Sequence, residues 1–373
     1  MSKAAKVKDV IQLMDEFAPK SLAFDKDPIG LMIGDVEQPV ETVLTTLDVT
    51  EDVVDEAVNF GATLIIAHHP LLFMPLSNID LSSPKGRVIQ KCLKHDISVY
   101  AAHTNLDITD GGVNDMLAEK IGLTDVNVLV QTDQERLYKI VAFVPVENAE
   151  DVRQSLGDAG TGHIGTILTV HFLVLGQVLF FPGSNTNPHI GEVGKPTKVE
   201  EVRIETIVPE MLLNKAISAL HEAHPYEEVA YDLYPLRLEG EMKGLGRIGE
   251  LEQETTLKAF AQTLKTSFSV EGLRFSGDEN KRVKKVAVLG GDGNNYWQEA
   301  LQQGADVFVT GDLKFHTAQD AMLAGLSLVD PGHHIEEIMK AGVERKLREQ
   351  THEAGLNVTY RASSINTDPF TFI

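Results

Sequence analysis

The chain has little of what marks secreted, membrane-bound or nucleic-acid-binding proteins. Its 373 residues include one cysteine, Cys92, which cannot form an intramolecular disulfide. The chain has only 33 Lys and Arg residues but 55 Asp and Glu residues. The resulting net charge of −22 repels phosphate backbones and anionic membranes. The amino-terminal segment, MSKAAKVKDVIQLMDEF, lacks the apolar core of a signal peptide. We therefore expect a cytoplasmic protein and no nucleic acid partner.

Long hydrophobic runs are also scarce. The longest apolar stretch, residues 166–182 (TILTVHFLVLGQVLFFP), is interrupted by Thr169, His171, Gly176 and Gln177. It is too short and too interrupted to span a bilayer. We predict two buried strands here and no membrane partner.

Hydrophobic periodicity predicts an α/β protein. Apolar residues at helical spacing predict a helix over Val7–Phe17. Strand patterns at 42–49, 63–67 and 97–102 alternate with helical patterns at 52–60 and 86–95. This alternation is typical of a parallel sheet covered by helices.

The pattern changes after residue 133 and returns after residue 240. The middle segment reads as an α+β unit of ferredoxin-like complexity, with strands at 138–144 and 203–208 and helices at 149–157 and 209–221. We predict an α/β sheet system formed by residues 1–132 and 241–373, interrupted by an inserted domain at 133–240.

Histidines and carboxylates cluster where three predicted strands end: AHHP at 67–70, AHTNLD at 102–107 and DPGHHIEE at 330–337. Ligands bind at the carboxyl ends of strands in open α/β sheets, so the three clusters could converge. Imidazoles with carboxylates are typical ligands of zinc, manganese or iron. His333 and Glu337 stand four residues apart, one turn of α-helix, which suits a pair of ligands. A lone His68 or His69 would more often be a hydrogen-bonded core residue.

The turn Gly290-Gly291-Asp292-Gly293 follows another predicted strand and allows two interpretations. Its backbone N–H groups could seat a phosphate, as Gly-rich turns before helices do. It lacks the Walker lysine and the full dinucleotide fingerprint, so a plain tight turn is the other interpretation.

Five motifs together resemble the GTP cyclohydrolase I type 2 homologue family (interacting-factor-three-like) over nearly the whole chain: AHHPLLF at 67–73, AAHTNLD at 101–107, GLGRIG at 244–249, VTGDLKFH at 309–316 and DPGHHIEE at 330–337. DPIGLMIG at 27–34 and LDVT at 47–50 resemble its amino-terminal motifs. The resemblance implies two α/β domains facing a dinuclear metal cleft, a homohexamer, and a PII/CutA-like inserted domain.

The resemblance also implies roles for individual residues. His68, Asp107 and Glu337 would hold one divalent ion, while His69, His333 and Glu337 would hold the other, with Glu337 bridging. The ions are expected to be zinc, with manganese or iron as alternatives, since such ligands accept all three. Two further residues would line the cleft as acid–base groups: His103 and His316. Asp312 could also line it, or it could cap the following helix.

A two-metal centre suits a metal-dependent hydrolase acting on a small molecule whose identity the sequence leaves open. GTP cyclohydrolase activity is implied by the family name only. The alternative is a non-catalytic metal-binding or regulatory protein whose inserted domain senses a ligand.

One segment departs from the family pattern. Family inserts follow Gly-His-Ile-Gly with a polar segment, Asn-Tyr-Ser-x-Cys-x-Phe-Ser, whereas this chain continues with the apolar residues 166–174. Deleting one base from codons for such a polar segment yields the observed Thr-Ile-Leu-Thr-Val-His-Phe-Leu-Val. We hypothesise a local frameshift, restored before Pro182, in the gene or its sequence record.

Overall fold

A computed structural model describes residues 4–186 and 188–373, and the chain forms two compact units. The first combines residues 1–133 with 243–373, and the second comprises 134–242. The protein is of the mixed α/β class with several sheets. Within the described ranges, no helix is both long enough and apolar enough to cross a membrane.

The strands of the described residues are β1 Ala5–Lys6, β2 Gly30–Ile33, β3 Pro39–Val40, β4 Thr42–Thr46, β5 Leu64–Ala67, β6 Ser98–Ala101, β7 Leu123–Gln134, β8 Leu137–Pro145, β9 His171–Phe180, β10 Thr197–Pro209, β11 Tyr231–Pro235, β12 Met242–Thr256, β13 Arg274–Ser276, β14 Arg282–Asp292, β15 Val307–Gly311, β16 Ser327–Asp330 and β17 Thr359–Ala362. The α-helices are α1 Val7–Phe17, α2 Glu51–Phe60, α3 Pro84–Lys94, α4 Thr104–Ile108, α5 Val113–Ile121, α6 Ala149–Asp158, α7 Leu213–Ala223, α8 Leu257–Ser267, α9 Trp297–Gln302, α10 Phe315–Leu323 and α11 Ile338–Glu353.

Two sheets dominate the first unit. One has the order β17-β4-β5-β6-β2, in which β17, β4, β5 and β6 are parallel, so the predicted parallel sheet is confirmed. The other has the order β13-β16-β15-β14-β12-β7, with β14, β15 and β16 parallel. Each sheet therefore has a parallel centre whose strands end on a common edge.

The two sheets share one hydrophobic core. Ile66 of β5 and Val309 of β15 are fully buried members of the same cluster, and helix α1 contributes Val10 and Met14 to it. Burying such side chains stabilises by about 1.5–3 kcal/mol each. Helix α1 has the predicted bounds, and its apolar stripe explains why it packs here. This core fixes the two sheets relative to each other.

The second unit is a four-stranded antiparallel sheet with two helices. Its order is β11-β8-β10-β9, and its elements follow the succession β8-α6-β9-β10-α7-β11. This βαββαβ succession is that of ferredoxin-like units. Side chains such as Ile140, Leu156 and Leu220 form a core of its own.

The prediction of two buried strands over residues 166–182 is wrong. The segment contains one strand, β9, which lies at the edge of its sheet and pairs with β10 alone among the described strands. Its apolar side chains face outward, since Phe172 is 64% exposed, Leu175 64% and Leu179 65%. An edge strand that is apolar and exposed on both faces is a pairing hazard that natural sheets avoid. This exposure favours the frameshift hypothesis.

The frameshift hypothesis has a direct test in the mass of one peptide. Resequencing the gene and measuring the proteolytic peptide over residues 166–174 from the source organism should yield a polar segment. The peptide over residues 137–145, which forms the buried strand β8, serves as the internal control and should match the stated sequence. Agreement of both peptides with the stated sequence would leave only a true variant.

Candidate metal centre

Polar side chains follow the carboxyl ends of parallel strands in both sheets and form one cluster. In the first sheet, Asp48 follows β4, His68 and His69 follow β5, and His103 follows β6. In the second sheet, a 3₁₀ helix containing His333 follows β16. Because the carboxyl ends of parallel strands lie along one edge, each sheet brings its groups together, and the shared core brings the two edges together.

The carboxylate of this cluster is Glu336, which corrects the prediction of Glu337. Residues His333–Glu337 form a 3₁₀ helix rather than an α-helix. With three residues per turn, the side chain that shares a face with His333 is three positions on. Glu337 instead lies 2.8 Å from the ammonium of Lys340. The prediction assumed an α-helical turn, which the 3₁₀ geometry excludes.

Glu336 lies at the middle of the cluster. Its Oε2 atom is 3.1 Å from Nε2 of His69, 3.1 Å from Nε2 of His333 and 3.8 Å from Nε2 of His68. Asp107, on α4, completes this side with Oδ1 lying 3.6 Å from Nε2 of His68. Glu336 is 3% exposed and His68 is 0% exposed, so these two groups are shielded from bulk water, whereas the side chains of His69 and His333 are 24% and 38% exposed.

Each histidine of the cluster has its Nδ1 atom held by an acceptor. The four pairs are His68 with the Ala102 carbonyl at 2.9 Å, His69 with Asp48 at 2.7 Å, His103 with Asp27 at 2.9 Å, and His333 with Asp312 at 2.8 Å. A carbonyl or carboxylate only accepts, so each Nδ1 carries the proton. Because Nδ1 is already hydrogen-bonded, Nε2 is the ring nitrogen that can contact a carboxylate or a metal ion. Metal-binding histidines are oriented in this way by outer carboxylates and carbonyls.

The electrostatics of the cluster favour a cation. Burial lowers the pKa of His68 to about 3, so its ring is neutral and Nε2 presents a lone pair. Burial opposes charge on His69, but hydrogen bonds to Asp48 and Glu336 raise its pKa to about 10. The hydrogen bond to Glu336 raises the pKa of His333 to about 9. Although burial opposes ionisation of Glu336, hydrogen bonds from His333 and His69 hold its pKa far below the usual range.

The donor atoms fit divalent metal ions. Nε2 of His68 and Oδ1 of Asp107 are buried and have no hydrogen-bond partner among the described residues. Such an arrangement is costly unless another group binds there. Three sets of donor atoms lie within 4.8 Å of one another: His68 with Asp107 and Glu336, His69 with His333 and Glu336, and His68 with His69 and His103. Glu336 belongs to two of these sets, so one carboxylate could serve two ions.

Most of the predicted site residues therefore lie together: His68, His69, His103, Asp107 and His333. His316 lies in the first turn of α10, is exposed, and stacks edge-on against Phe315 rather than joining these sets. Its acid–base role stays a prediction. Sequence reasoning missed Asp27 and Asp48 as partners of histidines, although both stand in motifs that carried the family resemblance.

The Gly-rich turn after β14 packs against the cluster. The Gly290 amide donates to Asn114 and the Gly293 amide donates to Thr310, so neither N–H is available to a phosphate. These bonds favour the plain tight turn. A Cβ added to Gly291 would lie 2.8 Å from Oε1 of Glu336, so glycine is needed for the close approach of this carboxylate.

The fold and the site together define a mixed α/β protein with histidine and carboxylate groups that could bind metal ions. A family model described as Duf34/NIF3 (NGG1p interacting factor 3) matches residues 5–369. The chain belongs to this family.

Relatives and solved structures agree with this assignment. Proteins named "GTP cyclohydrolase 1 type 2 homolog" from Halalkalibacterium halodurans and Bacillus subtilis are 51% and 50% identical to the chain, each covering 100% of both sequences. The crystal structure of a Bacillus cereus protein related to NIF3 matches with a TM-score of 0.94 and 51% identity over 100% of both chains. A Staphylococcus aureus structure matches with a TM-score of 0.75 and 34% identity over 99% of both chains.

Gly291 gives a matched pair of substitutions. We expect Gly291→Ala to weaken metal binding at least tenfold because its Cβ would displace Glu336. Gly304→Ala is the control, since Gly304 has a similar positive φ of 78° but nothing within 4 Å of an added Cβ. Both variants carry a backbone cost of about 1–2 kcal/mol. Equal metal affinities, measured by competition with a chelating dye, would contradict the packing argument.

Substitution of Asp48 tests how much the hydrogen bond to Nδ1 of His69 contributes to metal affinity. Asp48→Asn retains an oxygen for the Nδ1 proton of His69 but removes the charge, and we expect metal affinity to fall by about 10–100-fold. Asp320→Asn removes an exposed carboxylate from α10 and should leave the affinity unchanged. Calorimetric titration with zinc measures both, and a loss of equal size in the control would show a general charge effect instead.

Proposed function

We propose that the protein binds two divalent metal ions in this centre and uses them to hydrolyse a small-molecule substrate. The observation that carries the proposal is the sharing of Glu336 between two sets of donor atoms. His68 and Asp107 would hold one ion with Glu336, and His69 and His333 would hold the other. Paired ions of this kind supply Lewis-acid activation of water and stabilise developing negative charge.

The residues of the chain have separate roles in this proposal. His68 and Asp107 present buried donor atoms whose desolvation has already occurred on folding, which supports tight binding. Asp48 and Asp312 hold the rings of His69 and His333. These bonds fix the direction in which each Nε2 atom points.

His103 is the proposed proton-transfer residue. Asp27 engages its Nδ1 atom, and Asp27 also accepts hydrogen bonds from the Thr104 amide and hydroxyl, so the ring is held firmly. Nε2 of His103 is the atom that would accept a proton from the reacting water and return it to the leaving group.

Zinc is the ion we propose first. The donor set consists of imidazole nitrogens and carboxylate oxygens, which suit zinc, manganese and iron alike. The one cysteine, Cys92, is fully buried on α3 and belongs to none of the donor sets. Bound ions would therefore meet nitrogen and oxygen ligands rather than thiolate.

The second unit is proposed to be a PII/CutA-like inserted domain. Its βαββαβ succession and antiparallel order support that class. A regulatory or ligand-sensing role for it, with the metal ions as cargo or structural groups, is the alternative to a hydrolase. The hydrolase is favoured because His103 lies beside the donor atoms without being needed in either of the sets that share Glu336.

Metal analysis of neighbouring carboxylate variants tests this proposal. Untagged protein purified without added metal should contain about two equivalents per chain, and Glu337→Gln should retain them. Glu336→Gln should lose most of its metal, because the buried Oε2 atom that faces three histidines becomes neutral or is replaced by an amide nitrogen. His95→Ala, at the end of α3, is a further control.

Two results would contradict the proposal in different ways. Wild-type protein that is metal-free and fails to bind added zinc or manganese would exclude the dinuclear centre. Metal binding with no Glu336-dependent hydrolysis across phosphoester, amide and cyclic amidine substrates would favour the metal-binding or regulatory alternative.

A further inference from the structure

An irregular segment, residues 363–373, follows β17, and hydrogen bonds fix the path of its first residues. The amide of Ser363 donates to the Thr45 carbonyl of β4 at 2.8 Å. The buried carboxylate of Glu56, on α2, accepts hydrogen bonds from the hydroxyls of Ser363 and Ser364 and from the Ser364 amide. Hydrogen bonds to an ionised carboxylate are about twice as strong as those between neutral groups. The segment is therefore firmly attached where it begins.

Two further contacts lead the segment to the edge of the metal centre. Ile365 is partly buried against a hydrophobic cluster, and the ammonium of Lys340 donates to its carbonyl at 3.4 Å. Two residues later, the hydroxyl of Thr367 donates to Oδ2 of Asp48 at 2.5 Å. Asp48 is the residue that holds the ring of His69. The segment thus contacts the surroundings of the donor atoms through one hydroxyl group.

Asp48 connects this hydroxyl to a histidine of the donor sets. Its Oδ1 atom lies 2.7 Å from Nδ1 of His69, while its Oδ2 atom accepts from Thr367. The torsion that rotates an aspartate carboxylate is broad and only weakly restrained by itself. Donors at both oxygens therefore fix the plane of the carboxylate. A fixed plane in turn fixes the ring of His69 and the direction of its Nε2 atom.

The same succession of groups occurs at a second histidine of the cluster. Asp27 engages Nδ1 of His103 through Oδ1, and its Oδ2 atom accepts from the hydroxyl of Thr104 at 2.5 Å. Thr104 directly follows His103, so this hydroxyl is supplied locally. The hydroxyl on Asp48 comes instead from Thr367, 319 positions further along the chain. The recurrence of a threonine hydroxyl on the outer oxygen of both carboxylates supports a common purpose.

We propose that Thr367 is a positioning residue of the metal centre, which fixes Asp48 and, through it, the Nε2 atom of His69. This inference rests on the metal binding proposed above. It assigns residues 363–367 the task of completing the centre from outside the donor sets. The anchors at Glu56 and Ile365 place the threonine, and the threonine hydroxyl acts on the carboxylate.

The two donor sets that share Glu336 depend on this contact unequally. The set with His69 and His333 includes the ring that Asp48 holds. In the other set, the ring of His68 is held by a backbone carbonyl instead. Loss of the threonine hydroxyl should therefore weaken the binding of one ion and leave the other unchanged.

Zinc titration of three threonine variants tests the inference. Thr367→Val removes the hydroxyl, and we expect one of the two zinc equivalents to bind about tenfold more weakly in competition with a chelating dye, the lower end of the range for outer partners of metal ligands. Thr367→Ser keeps the hydroxyl and should restore the wild-type affinity. Thr371→Val makes the same substitution at an exposed residue of the segment and should change neither affinity.

A second background separates positioning from packing. In Asp48→Ala protein the hydroxyl of Thr367 has lost its acceptor, so adding Thr367→Val should cause no further loss of zinc affinity. Residues that act through one another give non-additive effects of this kind. An additional loss as large as in the wild-type background would show that Thr367 acts through the packing of the segment, and would overturn the positioning role.

The outcomes distinguish this inference from the function on which it rests. Wild-type protein that fails to bind two zinc ions would overturn the dinuclear proposal, and the inference with it. Two ions bound by the wild type, with both affinities unchanged or both equally weakened in Thr367→Val, would overturn the positioning role alone. Weak binding that persists in Thr367→Ser would also contradict it, because the hydroxyl is then not the group that matters.

Discussion

The burial of one carboxylate organises the centre. Glu336 is 3% exposed, and an ionised group so far from water must be matched by positive charge or by donors. The imidazoles of His69 and His333 supply those donors through the same oxygen. Removing the carboxylate would leave the Nε2 donors of His69 and His333 without this acceptor, so the groups around it depend on its position. Because Gly291 has no Cβ, the carboxylate of Glu336 can lie close to the backbone of this turn.

Hydrogen bonds to outer acceptors make it possible to cluster several histidines and acids at this centre. Burying several histidines and acids together costs free energy unless each polar atom has a partner. Outer acceptors such as Asp27 and Asp48 satisfy the Nδ1 atoms, and this leaves Nε2 atoms aimed at one region. The unsatisfied atoms, Nε2 of His68 and Oδ1 of Asp107, are then the ones that a cation would satisfy. The lack of a partner at these two atoms is therefore the structural feature that supports the proposed metal binding.

The sequence was sufficient to predict features that depend on local pattern. Helix α1 and the parallel strands carry strong periodicity, and the histidines at strand ends follow from it. The choice between Glu336 and Glu337 was not predictable, because it depends on a 3₁₀ turn after Gly332, whose φ is +93°. The pairing of His103 with Asp27 joins residues 76 positions apart and needs the tertiary structure. Exposure of β9 likewise depends on its place at a sheet edge.

The discontinuity of the first unit has a consequence for how the protein is made. His68, His69 and Asp107 are synthesised before residues 134–242, whereas Glu336 follows them. At translation rates of about 5–20 residues per second, roughly 10–50 seconds separate Asp107 from Glu336. During that interval the early donors lack the carboxylate that two of the three donor sets require. Metal acquisition is therefore expected to be a late event, completed on the finished chain rather than on the ribosome.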